Sequence, residues 1–213
     1  MTYCGSHTVM GHGENAVCGQ PYIGGIYQCQ TCQITDLKAP KMKYTDTYAQ
    51  LQRQLHSDQP SYGTSGANYA DYVSQLAGSL KTRDILDYGC GKSTLQKSLP
   101  FPIKQYDPFI AEFASPPVPA QLVVCTDVLE HIEPVCLDDV LEEIARLTLR
   151  MAFFQIATGP AKKFLADGRN AHICQMAMKD WFPRLIKFFD IQNLSVQPGG
   201  FIAIATPFIK DVT

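Results

Sequence analysis

From Asp84 onward the chain alternates short apolar runs with helically patterned stretches, and three successive runs each end in a cluster of acids, glycine or histidine. This repeat constrains the fold more than any other feature. The spacing predicts strands over Asp84–Asp87, Ile103–Asp107, Leu122–Thr126, Met151–Ala157, Phe189–Gln197 and Phe201–Ala205. It predicts helices over Ser93–Leu99, Leu137–Arg150 and Trp181–Phe188. An earlier helix carries Tyr69, Val73, Leu76, Ala77 and Leu80 on one face. Strands alternating with helices predict an α/β fold with a doubly wound, mostly parallel sheet. The turn Pro198-Gly199-Gly200 predicts that the last two strands form an antiparallel hairpin.

The strand ends carry the chemistry. The first reads Ile85-Leu86-Asp87-Tyr88-Gly89-Cys90-Gly91-Lys92-Ser93, a strand running through Asp-x-Gly-x-Gly into a helix. Glycine there lets the backbone approach a ligand, and the helix start offers unpaired N–H groups. The second ends in Asp107, an acid able to accept ribose hydroxyls. The third ends Thr126-Asp127-Val128-Leu129-Glu130-His131. Each cluster alone reads equally well as a turn or a helix cap. Three in succession, at the carboxyl edge where such sheets bind ligands, point to a site.

With these motifs in place, residues 61–210 resemble the class I S-adenosylmethionine-dependent methyltransferases, of the type with Val-Leu-Glu-His after the fourth strand. The resemblance implies S-adenosyl-L-methionine as cofactor. It assigns Asp87, Tyr88, Gly89, Cys90 and Gly91 to the first cofactor motif and Asp107 to the ribose. It assigns Thr126, Asp127 and Val128 to the wall of the transfer site, and it likens the hairpin to that fold's inserted antiparallel strand. One departure stands out. Only residues 108–121 separate Asp107 from Leu122, and they include Pro108, Pro116, Pro117 and Pro119. A full crossover needs about 30 residues, so the third strand is expected to be lost or vestigial. The adenine contact then falls to Phe109, Phe113 or the loop backbone.

Methyl transfer needs positioning and, for a hydroxyl or protonated amine, a base. His131 is the first candidate, with Glu130 beside it and His172 approaching from a later loop. His12 and His56 read as solvent or linker residues. Asp127, Glu130, His131 and His172 also resemble the divalent-metal set of small-RNA 2′-O-methyltransferases, which would take Mg²⁺ or Mn²⁺. The same segment is widespread in methyltransferases that hold no metal there.

Residues 1–37 differ in kind. They contain no Lys or Arg and hold four of the eight cysteines. Cys4, Cys18, Cys29 and Cys32, with His7 as substitute, fit a structural zinc site. The other four cysteines read as buried thiols. The expected organisation is a zinc module over 1–37, a linker or polar helix over 38–60, and the methyltransferase domain over 61–213. A composition 46% hydrophobic and 18% charged supports a packed core, and no apolar run spans a membrane. No secretory pattern opens the chain, so a cytoplasmic protein is expected. A net charge of −2 disfavours a long nucleic-acid track and favours a small or locally contacted substrate. Lys38, Lys41 and Lys43 read as a solvated linker or a local nucleic-acid contact. Two other readings fit the same motifs: a non-methylating use of the cofactor on a nucleotide or metabolite, and an inactive scaffold.

Overall fold

In the computed structural model the described residues are 41–208, with three short strands before them. The chain divides into two units, Met1–Met42 and Lys43–Thr213. In the first, β1 (Tyr22–Ile23), β2 (Ile26–Tyr27) and β3 (Leu37–Lys38) pair antiparallel in that order. The candidate zinc ligands Cys4, His7, Cys18, Cys29 and Cys32 lie outside the described residues.

The second unit opens with two helices, α1 (Asp46–Asp58) and α2 (Ala70–Leu80). The alternating region follows: β4 (Ile85–Tyr88), α3 (Thr94–Ser98), β5 (Lys104–Tyr106), β6 (Ala120–Thr126), α4 (Leu137–Leu147), β7 (Thr148–Ala157), α5 (Met178–Leu185), β8 (Phe189–Gln197) and β9 (Gly200–Pro207). The six strands from β4 form one sheet in the order β5-β4-β6-β7-β9-β8. The pairs β5–β4, β4–β6 and β6–β7 are parallel, and β9 lies antiparallel between β7 and β8. The doubly wound sheet and its hairpin therefore agree with the sequence, with Pro198-Gly199 closing the turn where Gln197 faces Gly200. Residues 108–121 hold one short 3-10 turn, Ala111–Phe113, ahead of the start of β6 at Ala120, and no separate strand. The third strand is absent, and β5 is the sheet edge.

Both faces of the central strands are covered, as a parallel sheet requires. Leu86 and Tyr88 of β4 pack with Val140, Leu141 and Ile144 of α4 and with Trp181 of α5. Ile85 turns to the other face, where Val73 and Ala77 of α2 and Leu95 of α3 cover it. Three helix boundaries shift. α5 runs Met178–Leu185, three residues earlier than the expected Trp181–Phe188. α4 stops at Leu147 instead of Arg150, because Thr148 folds its hydroxyl back onto Ile144 O at 2.7 Å and enters β7. α3 is a single turn starting at Thr94, with Ser93 in the left-handed region (φ 61°). The helix whose start is expected to offer unpaired N–H groups is thus too short for a sizeable dipole. Cys90, Cys125, Cys136 and Cys174 are buried free thiols, as the sequence suggests. No described helix is long and apolar enough to cross a membrane.

α1 lies within the stretch read as a linker or polar helix over 38–60, and one of its faces is buried. Thr45 caps it, accepting the Tyr48 N–H. Its buried face is Tyr48, Ala49, Gln52, Leu55 and His56, at helical spacing. Tyr48 and Leu55 pack with Leu165 and Ala171 of the segment after β7, with Tyr44, Tyr62 and Phe109 around them.

Candidate active site

The chain leaves β4 for β5 on one side and returns past it to β6 on the other. At that reversal an α/β sheet leaves a crevice. A cleft of about 580 Å³ occupies it. Gly89 and Gly91 after β4, Asp107 after β5, and Asp127, Val128 and His131 after β6 line one side. Tyr48, Gln52, His56 and Tyr62 from α1 and the turn behind it face them, and the loop Pro160–Lys163 and His172 close one end.

The glycine loop hangs from β5. The Gly89 and Cys90 N–H groups both donate to Tyr106 O, at 2.7 and 3.0 Å. Asp107 continues the grip: its Oδ2 accepts the Gly91 N–H at 3.1 Å and its Oδ1 the Phe109 N–H at 3.0 Å. Each carboxylate oxygen keeps a second lone pair for a ligand. The two glycines are required by packing within the chain. A Cβ at Gly89 would sit 2.3 Å from Val128 Cγ2, and one at Gly91 would sit 2.4 Å from Gly63 O. The Gly63 carbonyl in turn accepts the Lys92 N–H at 2.7 Å. The turn at Gly63 is therefore seated on the glycine loop. Asp87 stands behind the loop, 2% exposed, and does not line the cleft. Burial first, and the Asp107 charge second, push its carboxyl up to about 7.

His131 is fixed from three directions. Its Nδ1 lies 2.8 Å from Ala171 O and 3.1 Å from the Tyr62 hydroxyl, and the Tyr48 hydroxyl donates to its backbone carbonyl. A carbonyl only accepts, so Nδ1 carries the proton and Nε2 the lone pair. Burial, and then the neighbouring His172, hold the imidazole down at about 3, so it is neutral at physiological pH. His172 is locked the same way, with Nδ1 2.7 Å from Gly159 O. The two rings meet edge to face with centroids 4.7 Å apart.

The structure thus brings Tyr88, Gly89, Gly91, Asp107, Asp127, Val128, His131 and His172 to one cleft, and leaves Asp87, Cys90, Thr126 and Glu130 behind its wall. Glu130 is fully buried; its Oε1 accepts the Ala157 N–H at 2.9 Å, closing the end of β7. Turned into the sheet, it is not available as a ligand beside the histidines. Among the described residues no group of three or more His, Cys, Asp or Glu is placed to hold a metal ion. The expected Mg²⁺ or Mn²⁺ set of Asp127, Glu130, His131 and His172 is therefore not assembled.

Two residues read otherwise from the sequence belong to this region. Lys43 is no solvated linker lysine: its Nζ pairs with Glu143 at 2.7 Å, and Glu143 also accepts the Tyr88 hydroxyl at 2.7 Å. His56 is buried, 8% exposed, and lines the cleft. Of the two aromatics proposed for adenine, Phe109 lines the cleft against Tyr44, ring centroids 5.1 Å apart, whereas Phe113 does not line it. The repeat Tyr48, Gln52, His56 was the available signal, four residues apart on a helix face, but it carries polar atoms and escapes a search for apolar periodicity.

No family model matches the chain, and no curated protein matches it. Solved structures do. The 1,6-didemethyltoxoflavin-N1-methyltransferase of Burkholderia thailandensis, with bound 1,6-didemethyltoxoflavin and S-adenosylhomocysteine, aligns with a TM-score of 0.53 at 14% identity, over 85% of this chain and 94% of that one. Magnesium protoporphyrin IX methyltransferase from Synechocystis PCC 6803, with bound S-adenosylmethionine, gives 0.51 at 15% identity, over 75% and 97%. The N-methyltransferase NodS of Bradyrhizobium japonicum WM9, with S-adenosylhomocysteine, gives 0.50 at 15%, over 77% and 100%. These likenesses establish the fold alone: a Rossmann-like sheet with its last two strands antiparallel.

Proposed function

We propose that the protein is an S-adenosylmethionine-dependent methyltransferase. The observation that carries the reading is the meeting of three successive strand ends, at Gly89–Gly91, Asp107 and Asp127–His131, in one cleft at the reversal of strand order. The cleft fits that cofactor. It has the volume of a small-molecule site, an acid with free lone pairs, and apolar and aromatic walls at Val128 and Phe109. When bound, the sulfonium supplies an electrophilic methyl carbon. Asp107 would hold the ribose, and the loop Gly89–Gly91 the amino-acid end.

His131 and His172 form the acceptor end. A neutral imidazole with its Nδ1 proton tied down presents one hydrogen-bond acceptor, Nε2. Held at about 3, His131 has little affinity for a proton in the resting protein. Its role is to orient an O–H or N–H of the acceptor more than to take the proton outright, so positioning supplies the rate. S-adenosylmethionine titrated by calorimetry should bind, and labelled methyl should pass into one of the fractionated nucleic-acid, protein or small-molecule pools. His131→Ala should retain cofactor binding and lose transfer about 100-fold. Absence of cofactor binding would leave a scaffold as the better reading.

For the first unit we propose a structural zinc held by Cys4, Cys18, Cys29 and Cys32, with His7 as the alternate ligand. Cys29 and Cys32 form a C-x-x-C pair in sequence, and a metal would supply folding energy to a region with little apolar mass. Metal analysis of the purified chain should find one zinc per protein. Retention of full zinc after Cys29→Ser and Cys32→Ser together would refute the set.

A further inference from the structure

His56 lies in the last turn of α1 with an unsatisfied atom. Its side chain lines the cleft, and its Nδ1 is buried without a hydrogen-bond partner among the described residues. An orphaned buried polar nitrogen is costly, so such positions are normally completed by a ligand or water. The surroundings say which. The Gly63 turn lies between His56 and the glycine loop: a Cβ built on Gly63 is 3.1 Å from His56 Cε1 and 3.1 Å from Gly91 Cα. Gly91 donates its N–H to Asp107, and Lys92 Nζ donates to His56 O at 2.6 Å. The Tyr62 ring closes the other side, 4.7 Å from the imidazole. Burial keeps the imidazole below its ordinary range, outweighing Asp107, the strongest favourable charge acting on it. The group is therefore neutral, with one N–H and one lone pair, beside a carboxylate with lone pairs to spare.

We propose that His56 reads a ribose, its Nδ1 completing with the Asp107 carboxylate a two-point grip on the vicinal hydroxyls of a nucleoside. A hydroxyl both donates and accepts, so one can serve Asp107 as donor and the other can satisfy Nδ1 in either tautomer. The inference rests on the methyltransferase reading for the identity of the nucleoside. It adds to that reading a binding residue supplied by a helix outside the alternating strands.

Calorimetric titration with S-adenosylhomocysteine and with its 2′,3′-dideoxy analogue separates the outcomes. His56→Ala should weaken the parent ligand about tenfold, the loss of one good hydrogen bond, and leave the dideoxy analogue unchanged. His56→Gln, which keeps a polar tip, should recover part of the loss, and it carries the test if the alanine variant does not fold. Equal losses for both ligands would overturn the ribose contact and reduce His56 to a structural residue. So would an unchanged affinity in both variants. Wild-type protein that binds neither ligand would remove the methyltransferase reading itself.

Discussion

Gly91→Ala is expected to destabilise the sheet unit by about 3 kcal/mol or more and to abolish cofactor binding. The position has φ +51°, which costs a non-glycine residue roughly 1 kcal/mol. Steric overlap costs more than the backbone angle. The new Cβ would lie 2.4 Å from Gly63 O and 2.8 Å from Gly63 Cα, and both are backbone atoms with no rotamer to turn away. Relief requires the Gly63 turn to lift, which breaks the Lys92 N–H bond to Gly63 O. The ligand side suffers as well, because Gly91 N–H is what orients Asp107. Gly78→Ala supplies the control. That glycine lies inside α2 with nothing within 4 Å of its Cβ position, so alanine there should stabilise by about 0.5–1 kcal/mol. Both effects can be followed in urea through Trp181, the single tryptophan, which is fully buried in this unit. A Gly91→Ala variant as stable as the wild type would show that the seating of Gly63 is loose.

The second large effect is a pH dependence with an unusual sign. Glu130 is fully buried, one oxygen on the Ala157 N–H and the other with no donor among the described residues, and burial followed by the Asp127 charge pushes its carboxyl up to about 8. In the unfolded chain it would ionise near the ordinary value of 4.5. Between these pH values the folded state binds the extra proton, so stability is fully present below about 4.5 and falls as pH rises toward 8. The loss is on the order of a few kcal/mol. Asp87, raised to about 7, adds a contribution of the same sign over a narrower window. Glu130→Gln mimics the protonated form. It should match the wild type near pH 4.5 and exceed it near pH 8, and subtracting the two urea profiles cancels the Asp87 contribution. Parallel profiles would mean that Glu130 is ionised in the folded protein.

The alternating region was legible because its physics is local. A strand buried on both faces has to be largely apolar, as Ile85–Tyr88 and Ala120–Thr126 are, and Pro198-Gly199 dictates a reversal. The shortened crossover could be counted directly from Asp107 to Leu122. Local pattern failed where burial is shared by polar groups. Tyr48, Gln52 and His56 are buried through hydrogen bonds and ring contacts made outside their own helix: Tyr48 to His131, Gln52 to Tyr62, and His56 against Tyr62. Apolar periodicity announces no such partners, so the stretch reads as a linker or a polar helix with no buried face. Glu130 escaped for the converse reason. Its neighbour His131 faces the cleft, and only the fold shows that one residue earlier the chain turns its carboxylate into the sheet. Likewise the Gly89–Gly91 spacing signals a ligand loop, and only the fold shows that Gly91 must also lack a Cβ to seat Gly63.

The missing third strand has a dynamic consequence. β5 is only three residues long and, among the described residues, has a strand partner on one side alone. Edge elements of this size are among the first to open in a native protein, well below the free energy of global unfolding. Yet Tyr106 O, at its end, carries both amides that shape the glycine loop, and Asp107 follows immediately. The ligand-binding geometry thus hangs on the least protected ladder of the sheet. A molecule held by Asp107 would act as the neighbour the strand lacks. Amide exchange at Lys104–Tyr106 and Gly89–Gly91 would slow together on binding, ahead of the deeper strands β6 and β7.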